Sequence, residues 1–241
     1  MRTTRPAFYL ALLASVASAQ SAPAADLGGA PRRPVYDEPI PHQPAFSWSG
    51  LYIGANVGYG WSDVDWQFAA APGIGTGHSG NGGLAGGQIG YNIQMRQFVF
   101  GAEADLSGAW IDGATSCPDP SFSCGHSFNW IGSVRGRGGI TVNGNRTLLY
   151  GTAGVAWADV DYTAKDKGTG AVFGTGFSDT HVGFVAGGGI EHMLTPNLSA
   201  RAEYLFYGFD SVTAPAGALG GGPATLDLNT QTVRFGLNYK F

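Results

Sequence analysis

Nine charged residues share one side of an alternating pattern: Glu103, Asp105, Arg135, Arg137, Glu191, Arg201, Glu203, Arg234 and Lys240. On strands this places four carboxylates and five cations on a single polar face. If that face lines a narrow closed barrel, every one of these charges must be paired or hydrated, because an unpaired buried charge costs several kcal/mol. Two readings follow. The set is a salt-bridged plug, or it lines a narrow hydrated pore gated by exchange of ion-pair partners. Folding the flanking segments as a symmetric hairpin around residues 111–127 sets Glu103 opposite Arg135, and a similar count across 209–229 sets Glu203 beside Arg234. On the plug reading, a Glu103→Ala variant conducts where its parent does not.

Other side chains invite chemistry and carry less. Cys117 and Cys124 lie close together in one connection, which in an oxidising compartment points to a disulfide. A metal pair is disfavoured, since no second pair of cysteines accompanies them. His78, His126 and His181 fall in or beside three different connections; a metal or haem site would need their convergence, and the plainer reading is solvated histidines. His126-Ser127 and His78-Ser79 suggest a serine nucleophile with its base. Neighbours on a strand point to opposite faces, however, so neither pair meets naturally and no catalytic residue is assigned.

The elements that must position these groups are eight alternating segments. The last is the clearest: Val233, Phe235, Leu237, Tyr239 and Phe241 are apolar, with Thr232, Arg234, Gly236, Asn238 and Lys240 between them. The others cover about 49–63, 83–94, 98–110, 128–141, 147–159, 181–193 and 198–208. In the fourth of these, Phe128, Trp130, Val134 and Ile140 share the apolar face. Connections alternate as well. Residues 95–97, 142–146 and 194–197 are tight turns, whereas 64–82, 111–127, 160–180 and 209–229 are long and polar or glycine-rich. A soluble sandwich has no reason to sort its connections in this way. An outer-membrane barrel does, with short turns in the periplasm and its apolar faces turned to lipid. Trp48, Tyr59, Trp61, Trp110, Trp130, Trp157, Tyr204, Phe206, Tyr239 and Phe241 then form interfacial girdles.

Composition agrees. The 241 residues include 40 glycines and only 12% charged residues, against a usual ~25%. No internal stretch reaches the ~18 apolar residues of a spanning helix. The formal charge of −4 gives no reason to expect nucleic-acid binding. Residues 1–19 read as a signal peptide, with Arg2 and Arg5 before an apolar run and Ala17-Ser18-Ala19 before the cut; cleavage as late as residue 25 is an alternative. Residues 20–46 are proline-rich and read as a periplasmic leader, and 47–241 as the barrel domain.

Several stretches resemble the small outer-membrane porin-like proteins of α-proteobacteria, in the opacity-type barrel superfamily. They are Phe46-Ser47-Trp48-Ser49-Gly50-Leu51-Tyr52-Ile53-Gly54, Val134-Arg135-Gly136-Arg137-Gly138-Gly139, Leu149-Tyr150-Gly151-Thr152-Ala153-Gly154 and Thr195-Pro196-Asn197-Leu198-Ser199-Ala200-Arg201-Ala202-Glu203-Tyr204. The terminal residues Val233 to Phe241 are similar to that family's assembly signal. His192 and Met193 depart from it, standing where an aromatic-small pair belongs. The resemblance implies an abundant envelope component exposed at the cell surface and carries no ligand or catalytic residues. The expectation is therefore an all-β protein, an eight-stranded antiparallel up-and-down transmembrane β-barrel. Its role is structural and its cofactor none. Its partners are membrane lipid, lipopolysaccharide and, through the C-terminal strand, the barrel-assembly machinery. A small-solute porin and a lipid-modifying hydrolase are the alternatives.

Overall fold

Strict period-two alternation is sustainable only in extended chain, and the strands it produces here are long. In the computed structural model, which describes residues 46–68, 75–117, 119–218 and 222–241, they are β1 (Gly50–Phe68), β2 (Gly75–Met95), β3 (Phe98–Ser116), β4 (Phe122–Val142), β5 (Thr147–Asp166), β6 (Val172–Met193), β7 (Leu198–Phe209), the short β8 (Val212–Ala214) and β9 (Ala224–Lys240). The proposed signal peptide and nearly all of the leader lie outside the described residues. Each long strand pairs antiparallel with the next, β7 pairs with β9, and β9 returns to β1 from Tyr52↔Lys240 to Phe68↔Ala224. The result is a ring of eight long strands, closed along its lower part, while above Gly183 β6 is laddered to β5 alone among the described residues. β8 only adds to the end of β9.

One end of the ring is finished by tight turns. Arg96-Gln97 joins β2 to β3 with Arg96 at φ 58°, and Asn143-Gly144-Asn145-Arg146 joins β4 to β5 with Asn143, Gly144 and Asn145 all at positive φ. Asparagine and glycine tolerate that region, which is why they occupy it.

The other end is taller than the sequence suggests. The connections expected over 64–82, 111–127 and 160–180 are mostly strand, and the extra length has a simple physical pattern. In the lower part of each strand the outward residues are apolar and exposed, Leu106, Trp110 and Phe235 among them at 60%, 65% and 58%. Higher up the two faces exchange character. Beyond Trp61, Val64 and Trp66 turn inward while Asp63, Asp65 and Gln67 face out. Beyond Trp110, Ile111 is inward and Asp112 outward. Beyond Trp157, Val160 and Tyr162 are inward and Asp159 and Asp161 outward. On β9, Leu226 and Leu228 are inward and Asp227 outward. On these four strands the period holds through the change; the polarity of the faces inverts at the level of the tryptophans.

That level divides two solvents. Thirteen residues of β3, Phe98 to Trp110, rise roughly 30 Å at ~3.3 Å per residue and a tilt of ~40°, about the thickness of a bilayer. Above it the wall obeys the ordinary rule of apolar inside and polar outside, and Val64, Trp66, Ile111, Phe128, Ile131, Val160, Tyr162, Tyr207, Leu226 and Leu228 form one buried cluster. Phe128 corrects the sequence expectation. Alternation puts it on the lipid face, yet it is 2% exposed inside the ring. The cause is a register shift between Phe128 and Trp130, where β4 carries an extra residue against β5 and its parity changes.

Candidate functional site

The lumen is the candidate site, and it is layered. In its middle, the register sets Glu103 opposite Arg135 on β3–β4 and Glu203 opposite Arg234 on β7–β9. The ion pairs, however, run across the lumen as well as along the ladder. Glu103 lies 2.6 Å from Arg135, 2.6 Å from Arg201 and 3.7 Å from Arg137, and accepts a 2.6 Å hydrogen bond from the Tyr52 hydroxyl. Asp105 pairs with Arg234 at 2.6 Å and with Arg135 at 3.2 Å. Glu191 takes Arg137 at 2.7 Å, with Ser199 and Asn238 donating to its other oxygen. Glu203 is bound by Arg135 at 3.0 Å, not by its ladder neighbour Arg234, whose second nitrogen donates to Tyr207.

Four carboxylates therefore meet four guanidiniums, none of the eight more than 6% exposed. Arginine suits this role because its planar fork holds several acceptors and stays charged. Lys240 does not join them. It sits on the last residue of β9, at the rim, and its ammonium donates to the Ser47 carbonyl.

Room for such large side chains comes from inward glycines. The hydroxyl end of Tyr52 lies against Gly90, where a Cβ would come within 2.3 Å of the phenol oxygen. Arg137 stacks over Tyr150 with its guanidinium 4.1 Å from the ring centre.

Below the charges, Trp48, Val99, Leu148, Tyr150 and Met193 form an apolar layer at the short-turn end. Trp48 corrects its girdle assignment. It is 2% exposed, its backbone N–H donates to the Gln94 side chain at 2.9 Å and its indole N–H to the Asn145 carbonyl at 2.9 Å. Phe46, under the Arg146 guanidinium, completes the same cap. Beside Trp48 and Glu191 a cavity of about 10 Å³ remains, space for about one water.

The histidines are not loop residues. His126 and His181 are buried within the tall section. His126 sits between His78 and Ser62, 2.8 Å from each, while His181 meets Tyr162 at 2.9 Å. Ser127 points out of the wall on the opposite side from His126, and Ser79 donates to Asp63 at 2.8 Å. Sequence spacing could not reveal the His126–Ser62 contact, because it joins strands 64 residues apart.

Cys117 and Cys124 form a disulfide that staples the β3–β4 turn, with Cα atoms 5.2 Å apart. So short a loop restricts the unfolded chain only modestly, by about 2–3 kcal/mol. A Cys117→Ser/Cys124→Ser variant is expected to be cleaved faster by protease in this turn while the rest of the barrel keeps its heat-modifiable migration on gels. Equal cleavage rates would refute a stapling role.

A closed ring of strands with an outward apolar band, inward charge and one tall end defines an outer-membrane β-barrel. The chain belongs to the family described as outer membrane protein beta-barrel domain, which matches residues 9–241. It is 32% identical to a 31 kDa outer-membrane immunogenic protein of Brucella melitensis, over 95% of this chain and 98% of that protein. It is also 32% identical to a 22 kDa outer membrane protein of Rhizobium leguminosarum bv. viciae, over 83% and 82%. The solved structure of OprG from Pseudomonas aeruginosa shares the fold, with a TM-score of 0.53 at 16% identity, covering 80% of this chain and 96% of that one. The protein is thus an outer-membrane β-barrel of a Gram-negative envelope.

Proposed function

We propose that the protein is a structural component of the envelope that displays its tall end at the cell surface around a closed, non-conducting lumen. The observation that carries this reading is the neutral four-against-four ion network held between two apolar layers. An ion entering from either side must first desolvate against hydrocarbon and then displace a guanidinium or a carboxylate from its partner. Short turns face the periplasm in barrels of this kind, which puts the tall end outside. The immunogenic names of the Brucella relatives support a surface-exposed part. The outward row Val233, Phe235, Leu237, Tyr239 and Phe241 on the terminal strand serves as the assembly signal. A non-catalytic role is favoured by the relatives' description as outer-membrane immunogenic proteins, and by the enclosure of the His126–Ser62 contact, with Ser62 0% and His126 3% exposed.

The test is electrical. Refolded into a planar bilayer, the protein is expected to give no conductance steps in molar salt. Reproducible unitary steps would replace this reading with that of a small-solute porin.

A further inference from the structure

Two register shifts flank β4 at nearly the same height. On one side Gly108 pairs with Trp130 but the next aligned pair is Asp112 with Ser127, so β3 carries an extra residue. On the other, Phe128 pairs with Val160 and Trp130 with Asp159. Bulges of this kind interrupt the ladder and re-aim side chains. On the outer face of the wall they border a hollow of about 400 Å³ rimmed by Asp112, Ser127, Asp161, Thr163 and Lys165, with Gly125 on its floor.

We propose that this hollow is a saccharide subsite that holds a core sugar of the surrounding lipopolysaccharide. The assignment rests on the tall end lying outside the cell. Its height selects the occupant. Asp112 is two residues beyond Trp110 and Asp161 four beyond Trp157, so the hollow begins roughly 5–10 Å above the tryptophan level. A lateral wall at that height in the outer leaflet meets sugar rings, with the acyl chains below it.

The lining matches such a guest. The Ser127 and Thr163 hydroxyls can donate and accept, the Asp112 and Asp161 carboxylates accept from sugar hydroxyls, and Lys165 offers a cation to a sugar acid or phosphate. Asp161 is already held in place, accepting a 3.0 Å hydrogen bond from Asn129, which also binds Asp159 at 2.9 Å. Gly125 keeps the floor low. A Cβ there would lie 3.2 Å from the Gly113 carbonyl oxygen and 3.5 Å from the Ala114 Cβ, so any longer side chain would fill the hollow.

The probe is the deacylated core oligosaccharide of the host's own lipopolysaccharide, titrated into the refolded barrel in detergent micelles. Saturable binding is expected, weakened at least tenfold in both Gly125→Leu and Asp161→Ala, with heat-modifiable migration unchanged. No saturable binding, equal binding by a folded Asp161→Ala variant, or equal binding of a maltooligosaccharide would each overturn the subsite. Micelles have no sidedness, so orientation is read separately, by labelling Lys167→Cys in intact cells with an impermeant maleimide. Labelling is expected. Its absence would remove the lipopolysaccharide assignment even where the oligosaccharide binds.

Discussion

Replacing Glu103 with alanine is expected to lower the stability of the barrel by about 3–5 kcal/mol, the usual cost of removing one partner from a buried charge group. Glu103 is the acceptor shared by Arg135, Arg201 and the Tyr52 hydroxyl, with Arg137 beside it. Its removal leaves four guanidiniums with three carboxylates, an uncompensated positive charge enclosed by the wall. The measurement is the urea midpoint of the refolded protein in lipid, read by the gel shift between folded and unfolded forms. A Glu103→Gln variant keeps an acceptor and is expected to fall between the two. An unchanged midpoint in Glu103→Ala would mean that the network contributes little. Conductance should stay at zero in the same variant. The sequence alone suggested that this truncation opens a path, but the apolar cluster around Ile111, Phe128 and Leu228 stands in series above the charges. Current through the single variant would show that this upper layer is no seal.

Trp66→Ala is expected to act elsewhere. Trp66 is among the largest fully buried side chains and lies edge-on to Tyr162, with ring centres 5.9 Å apart. Deleting a buried aromatic of this size costs about 3–5 kcal/mol through lost transfer energy and the cavity left behind. The loss falls on the part of the wall that stands clear of lipid, where interior packing joins the strand ladders in holding the section together. Proteinase K should therefore cut the variant above the tryptophan level far faster than the parent, while the lower strands stay protected in liposomes. Identical cleavage patterns in the two proteins would show that the tall section does not depend on its interior packing.

Much of the lower barrel was legible from residue order. Eight alternating segments, three tight turns and the alignment of Glu103 with Arg135 follow from period and hairpin symmetry. The upper barrel was not, for a definable reason. Val64 and Trp66 alternate with Asp63, Asp65 and Gln67 as regularly as the residues below them, but with the opposite sign. A search for apolar residues on the outward parity reads that reversal as the end of a strand. Phe128 was misplaced because a single extra residue in β4 shifts parity without altering composition. Glu203 illustrates another limit. Register puts it beside Arg234, yet in so narrow a lumen a long side chain can reach partners on other strands, and it binds Arg135. Trp48 stands beside the first strand like an interfacial anchor, but its two N–H groups find acceptors inside the mouth.

With the tall end outside, as proposed, the inversion of faces above the tryptophans has a consequence for whatever meets this cell. The described residues there are folded wall, and their outer relief is assembled from different strands: Ser79 against Asp63, Asn129 against Asp159 and Asp161. Such an epitope is discontinuous and exists only while the strands keep their register. An antibody raised against these strands in the boiled chain would meet linear fragments that the folded wall does not present, and one raised against the folded wall would fall silent on a denaturing blot.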